Sequence, residues 1–272
     1  MSRIDLRLAA LGLLLASCAI CPPVVLETPE GVIRAANKES ARKTAELLEL
    51  YEPLVRDLFH AGRQQFKVDV GLWRPFDLDF EAYATPGHIV IRKVDDELDR
   101  RVVHELVHLY AAGDWDALPY MVDEGMAWVV SWALNGPFQA TADPPGTERV
   151  REALVLEGDA YLSADEAFQT EMTITGIWIV SHVGWKSLVD LVDRAAEQGL
   201  ERIPPEWFLM ALPSPSEPAK CDSHWLDGDA THPVVRQFLE DRRSMTVALP
   251  RGGKVTGSIP PGVTELRIII QP

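Results

Sequence analysis

The sequence has few positive charges and few cysteines. Its 272 residues include 26 lysines and arginines against 41 aspartates and glutamates, which gives a formal net charge of −15. Phosphate binding needs clustered positive charge, and no basic stripe with interleaved aromatic residues occurs, so a nucleic-acid partner is not expected. Three cysteines are too few for a disulfide scaffold. No repeated CxxC motif suggests a cysteine zinc site.

Long apolar runs are also scarce. The run LAALGLLLA at residues 8–16 is too short to cross a bilayer, which needs about 20 residues, but it follows Arg3 and Arg7. This order predicts a signal peptide and export from the cytoplasm. Residues 15–18, ending in Cys18, resemble the lipobox of bacterial lipoproteins, which implies a lipidated Cys18 that anchors the mature chain in the cell envelope. Ordinary signal cleavage after Ala19 is the alternative.

Composition divides the chain into four segments. We predict a signal peptide over residues 1–17, a Pro- and Glu-rich linker over 18–36, the main domain over 37–212 and a C-terminal extension over 213–272. If Cys18 carries lipid, Cys21 and Cys221 remain, either as a disulfide in an oxidising envelope or as two free thiols.

Hydrophobic periodicity predicts an α+β fold that is mainly helical, with a small sheet. Helices are expected over 37–62, with a kink at Pro53, over 95–113, over 118–136 and, broken near Gly184, over 175–199. Strands are expected over 65–73, with Asp69 facing away from the core, and over 87–94. A capping box at Ser163–Glu166 predicts a short helix. Residues 244–272 predict strands, as a small β appendage or an addition to the main sheet.

The segment VVHELVHLY contains His104, Glu105 and His108 within a predicted helix. Histidines at positions i and i+4 lie on one helix face, with Cβ atoms roughly 5–6 Å apart, so both rings can bind one zinc ion. Glu105 is rotated by about 100° around the helix axis, which disfavours it as a third ligand. It can instead reach a zinc-bound water, where a general base belongs.

A catalytic zinc site needs a third protein ligand, and the next helix offers Glu124. The small residues Gly125 and Ala127 are predicted to let this helix approach the motif helix closely. Two alternatives remain open: Glu124 as a solvated helix acid with Asp123 as the competing ligand, or Asp123 as a partner that orients a ligand histidine.

The combination of HELVH and DEGMA resembles the gluzincin metallopeptidases, particularly the peptidase-MA-like group. Over about residues 40–200, the resemblance implies a zincin-like fold whose small sheet packs on the motif helix. It implies zinc ligands at His104, His108 and Glu124 and a catalytic base at Glu105. It also implies that the strand at 87–94 forms the substrate-binding edge and that a later helix within 175–195 packs behind the site.

The family usually supplies a downstream Tyr or His that stabilises the oxyanion, and Tyr161 and His182 are the candidates. The expected function is a lipid-anchored zinc metallopeptidase that acts on a peptide or protein substrate. The alternative is a catalytically weak or inactive zincin-fold binding or assembly lipoprotein with a structural zinc.

Overall fold

The computed structural model describes residues 22–72, 81–113, 115–135 and 145–212, and the backbone of two strands at 243–248 and 254–259. The predicted signal peptide, Cys18, Cys21 and Cys221 lie outside the described residues. Among the residues described, no helix combines the length and the apolar character needed to cross a bilayer.

A mixed five-stranded sheet forms one layer of this α+β fold. Its strands follow the order β1-β2-β3-β5-β4, so that β1 and β4 are the edges. The inner strands β2, β3 and β5 run parallel, and each edge strand pairs antiparallel with its neighbour. The strands are β1 (Val24–Glu27), β2 (Gly31–Ala35), β3 (Phe66–Val70), β4 (Ala82–Thr85) and β5 (His88–Ile91).

The linker predicted over residues 18–36 is wrong for the part that forms β1 and β2. A tight turn connects these strands, in which Thr28 and Gly31 exchange backbone hydrogen bonds. Ile33 on β2 is fully buried. A Cβ at Gly31 would lie 1.8 Å from the Phe66 carbonyl oxygen, so glycine permits the contact between β2 and β3. Proline and glutamate near the turn gave this segment a linker-like composition.

The outward orientation predicted for Asp69 is also wrong, since its side chain is 1 % exposed. Its carboxylate lies 3.7 Å from the Arg34 guanidinium and 3.3 Å from the His88 imidazole, on the two flanking strands. Strand alternation cannot reveal such cross-strand partners, which make the burial of a carboxylate tolerable.

The helices pack around the sheet and around one another. The first three predicted helices are confirmed as α1 (Lys38–Leu58), α2 (Leu98–Ala111) and α3 (Tyr120–Asn135). Pro53 lies inside α1 without ending it. The α2 helix, which carries the HELVH motif, contacts β4 and β5 as well as α1 and α3. The helices are α1 (Lys38–Leu58), α2 (Leu98–Ala111), α3 (Tyr120–Asn135), α4 (Thr147–Val155), α5 (Gly158–Leu162), α6 (Glu166–Val183), α7 (Trp185–Glu197) and α8 (Pro205–Ala211).

The helix predicted from the capping box at Ser163 is longer than expected and begins later. Asp165 caps α6, because its side chain accepts a hydrogen bond from the Phe168 backbone N–H at 2.9 Å. The predicted break near Gly184 is confirmed, and this residue adopts a φ of 77° between α6 and α7. In the C-terminal extension, β6 (Arg243–Ala248) and β7 (Lys254–Ile259) form a separate antiparallel pair, as the predicted β segment requires.

Two glycines set the distance between α3 and α6. A Cβ at Gly125 would lie 2.4 Å from the carbonyl carbon of Gly176, and a Cβ at Gly176 would lie 2.1 Å from the Met121 carbonyl oxygen. Gly125 therefore permits the approach of α6, and its predicted role towards α2 is wrong. This contact holds in place the helix that carries Glu124.

We expect Gly176→Ala to lower the free energy of unfolding by about 1–3 kcal/mol, because the added methyl group collides with backbone. Alanine's higher helix propensity offsets only about 1 kcal/mol of this loss. Chemical denaturation measures the effect. Gly62→Ala is the control, since nothing lies within 4 Å of the position that its Cβ would take and its stability should hardly change. Equal stability of the two variants would contradict the close contact.

Candidate metal centre

Two helices bring the predicted ligands together. On α2, the apolar side is buried in the core, which leaves His104 and His108 on the side that faces α3 and the cleft. Glu124 projects from the first half of α3 into the same space. The buried apolar residues of α2 are Leu98, Val102, Val103, Leu106, Val107, Leu109, Tyr110 and Ala111.

The ligand atoms of the three side chains converge. The Nε2 atoms of His104 and His108 are 3.1 Å apart. The carboxylate oxygens of Glu124 lie 3.5 Å from Nε2 of His104 and 3.7 Å from Nε2 of His108. All of these atoms fall within 4.8 Å of one another, and no other group of His, Cys, Asp or Glu in the described residues does so.

Asp123 orients one of the two histidines. Its Oδ2 lies 2.9 Å from Nδ1 of His108, on the side of the ring opposite Glu124. A carboxylate that accepts the Nδ1 proton leaves Nε2 with a free lone pair directed at the centre, as in metal sites with a carboxylate–histidine pair. Of the alternatives left open by the sequence, the structure matches the orienting role of Asp123.

The electrostatics favour positive charge at this point. Burial by itself lowers the pKa of His108, but the carboxylates of Asp123 and Glu124 raise it to about 10. Burial raises the pKa of Glu124, yet the neighbouring histidines and a hydrogen bond from Tyr120 lower it to about 2. The cluster therefore stabilises a cation strongly, which is the condition that a bound divalent metal satisfies.

Two buried polar atoms on the motif helix lack partners. Nδ1 of His104 and Oε2 of Glu105 have no hydrogen-bond partner among the residues that the structure describes. Glu105 is only 4 % exposed, and burial raises the pKa of its carboxyl group against the opposing effect of His104 and His108. A buried carboxylate without a partner costs free energy, so Glu105 fits a role towards a ligand in the cleft.

Two tyrosines, Tyr120 and Tyr161, lie near Glu124. Tyr120, one helical turn before Glu124, helps to lower the pKa of the Glu124 carboxyl group. The Tyr120 ring lies 5.5 Å from that of Tyr161, whose hydroxyl is 2.9 Å from Oγ1 of Thr173. Sequence reasoning missed Tyr120, although its i, i+4 spacing to Glu124 was the available signal.

The two oxyanion candidates differ in position. Tyr161 lines the cleft above the three ligands, whereas His182 is not among the residues that line it. The His182 ring stacks on Trp178, and its Nδ1 lies 2.8 Å from the Trp178 carbonyl oxygen. Only Tyr161 is therefore placed near the candidate metal ligands.

A cleft of about 1060 Å³ opens over the ligands. Ala82, Tyr83 and Ala84 of the edge strand β4 line one side of it. The prediction that residues 87–94 form the substrate-binding edge is wrong, because β5 is paired on both sides, with β3 and with β4. Among the described strands, the edge next to the site belongs to β4, in a segment for which no strand was predicted.

No family model matches the chain, and no curated protein matches it. The resemblance to the gluzincins therefore stays a prediction, and its support is the geometry of the side chains on α2 and α3.

We predict that the metal-free protein binds one zinc ion per chain with high affinity. Glu124→Gln should weaken this binding sharply, because it removes the charge of one ligand while preserving its shape. Isothermal titration calorimetry with Zn²⁺ measures both. Glu201→Gln is the matched control, since Glu201 lines the same cleft but is not one of the converging ligands. Equal affinity of the two variants would exclude Glu124 as a ligand.

Asp123→Asn should lower zinc affinity by about 10-fold to 100-fold, since the amide holds the His108 ring less strongly and no longer favours a free Nε2 lone pair. Competition with a chromophoric chelator gives the affinity. The stoichiometry should remain one ion per chain. Loss of the whole site would instead identify Asp123 as a ligand.

Proposed function

We propose that this protein is a zinc-dependent metallopeptidase. The observation that carries the proposal is the position of Glu105, whose buried Oε2 has no hydrogen-bond partner among the described residues, beside the converging ligand atoms of His104, His108 and Glu124. Two imidazoles and one carboxylate are a donor set typical of catalytic zinc, which leaves one coordination position open.

In the proposed mechanism, His104, His108 and Glu124 hold the metal. Bound zinc would supply Lewis-acid chemistry, by activating a water molecule and polarising the scissile carbonyl. Glu105 accepts the proton of the attacking water and donates it to the leaving amine.

The surroundings of the ligands suit a peptide. Among the described strands β4 pairs only with β5, so its other edge offers backbone N–H and C=O groups to an extended chain, which would add to the sheet as a further strand. The Tyr161 hydroxyl, on the other side of the cleft, is the candidate donor to the oxyanion. The cleft volume of about 1060 Å³ is large enough for several residues of a substrate.

We further propose that the enzyme acts outside the cytoplasm and is held at the cell envelope by lipid on Cys18. The support is the order of basic residues, apolar run and lipobox-like residues at the N-terminus. Its acidic surface gives no reason to expect a nucleic-acid partner.

Glu105→Gln should reduce cleavage of a peptide library by about 10²-fold to 10⁴-fold while one zinc ion per chain is retained, because the amide cannot accept the proton of water. Mass spectrometry of the digest and metal analysis of the same sample measure the two quantities. Glu201→Gln should cleave like wild type.

The outcome separates the two candidate functions. Cleavage by wild type that a chelator abolishes supports the peptidase. A wild-type protein that binds zinc but cleaves nothing would support the binding or assembly module with a structural zinc. Cleavage by Glu105→Gln at the wild-type rate would remove Glu105 from the mechanism.

A further inference from the structure

A second, smaller cavity lies between α3 and α6. We call it the side pocket and define it by Trp128 and Trp132 of α3 and by Gln169, Thr170, Ile174 and Ile177 of α6. Its volume is about 310 Å³, at the lower end of the range for ligand pockets. A cavity of this size suits one side chain rather than a whole substrate.

The side pocket adjoins the cleft. Trp128 and Tyr161 line both cavities. The Trp128 ring also packs against the ring of His104, with centroids 4.8 Å apart. A group in the side pocket would therefore lie directly beside a substrate held over the metal ligands.

The lining of the side pocket is mainly apolar. The rings of Trp128 and Trp132 are 5.5 Å apart, and Ile177 is buried behind them. Ile174 is 37 % exposed, although its neighbours along α6 at 175–180 are buried. Glu166 is the one charged residue among the described lining, and it disfavours an acidic occupant.

We infer that the side pocket receives a large apolar side chain of the substrate, aromatic or branched aliphatic, adjacent to the bond that is cleaved. This inference rests on the proposed peptidase function and adds a substrate class to it. Burial of such a side chain between two tryptophans and two isoleucines supplies the binding energy, and a shorter or polar side chain would leave those surfaces in water.

The test uses peptides that differ only at one position flanking the scissile bond, with Gly, Leu, Phe, Asp or Lys placed there. The varied residue is placed first on one side of the scissile bond and then on the other. For one of these two placements, wild type should cleave the Leu or Phe peptide with a kcat/KM at least about tenfold above that of the Gly peptide. Ile174→Asp, which places a charge at the pocket, and Thr170→Trp, which narrows it, should both remove this preference while cleavage of the Gly peptide stays near wild type.

Val155→Asp is the matched control, because Val155 is also an exposed apolar residue but lines neither cavity. It should keep the preference. Two results would overturn the inference about the side pocket and leave the peptidase proposal intact. One is chelator-sensitive cleavage without any preference on either side of the bond, and the other is a preference that survives both pocket variants.

A binding measurement separates the two proposals. Glycine, leucine and phenylalanine hydroxamates are titrated into the zinc-loaded Glu105→Gln protein, and tryptophan fluorescence reports binding without turnover. Affinity should rise from glycine to phenylalanine, and this rise should disappear when Ile174→Asp is added. If wild type cleaves no peptide but the affinity does rise from glycine to phenylalanine, the peptidase proposal fails, whereas the binding of apolar side chains in the side pocket is supported. Equal affinities, or no binding, would overturn the side pocket.

Discussion

The site depends on the close meeting of α2 and α3, which brings two imidazoles and a carboxylate to a single point. The Nε2 atoms of His104 and His108 face each other at 3.1 Å, and the Glu124 carboxylate oxygens lie within 3.7 Å of them. A divalent cation satisfies all three groups at once. The position of α3 is also fixed by its contact with α6, where Gly125 of α3 and Gly176 of α6 allow the two backbones to touch.

The helix that carries the motif is held from several sides. In the core, the Tyr110 hydroxyl donates a hydrogen bond to the buried Glu52 of α1, which also pairs with Arg56 at 3.2 Å. Near the first turns of α2, Arg101 pairs with Glu81 at 2.7 Å, just before β4. The candidate metal ligands and the edge strand β4 are therefore connected through one helix, so that the distance between them is set by the fold.

Sequence reasoning found the parts of the site that depend on local spacing. His104, Glu105 and His108 lie within about one helical turn, so helix periodicity was sufficient to place them together. The choice of Glu124 on the next helix rested on the resemblance to the gluzincins, because periodicity did not separate it from Asp123. Features that depend on neighbours distant in sequence were missed or wrong. Asp69 is buried because two flanking strands supply partners, and Gly125 faces α6 because of Gly176. The edge strand β4 was missed because its four residues carry too little pattern, and pairing alone decides that it, rather than β5, borders the cleft.

Anomalous scattering at the zinc absorption edge, from crystals of the zinc-loaded protein, tests the central claim most directly. Our account predicts one peak per chain, at bonding distances of about 2.0–2.2 Å from Nε2 of His104, Nε2 of His108 and a carboxylate oxygen of Glu124. It predicts no protein atom other than these three as a ligand. A peak held by other residues, or no peak between α2 and α3, would contradict it.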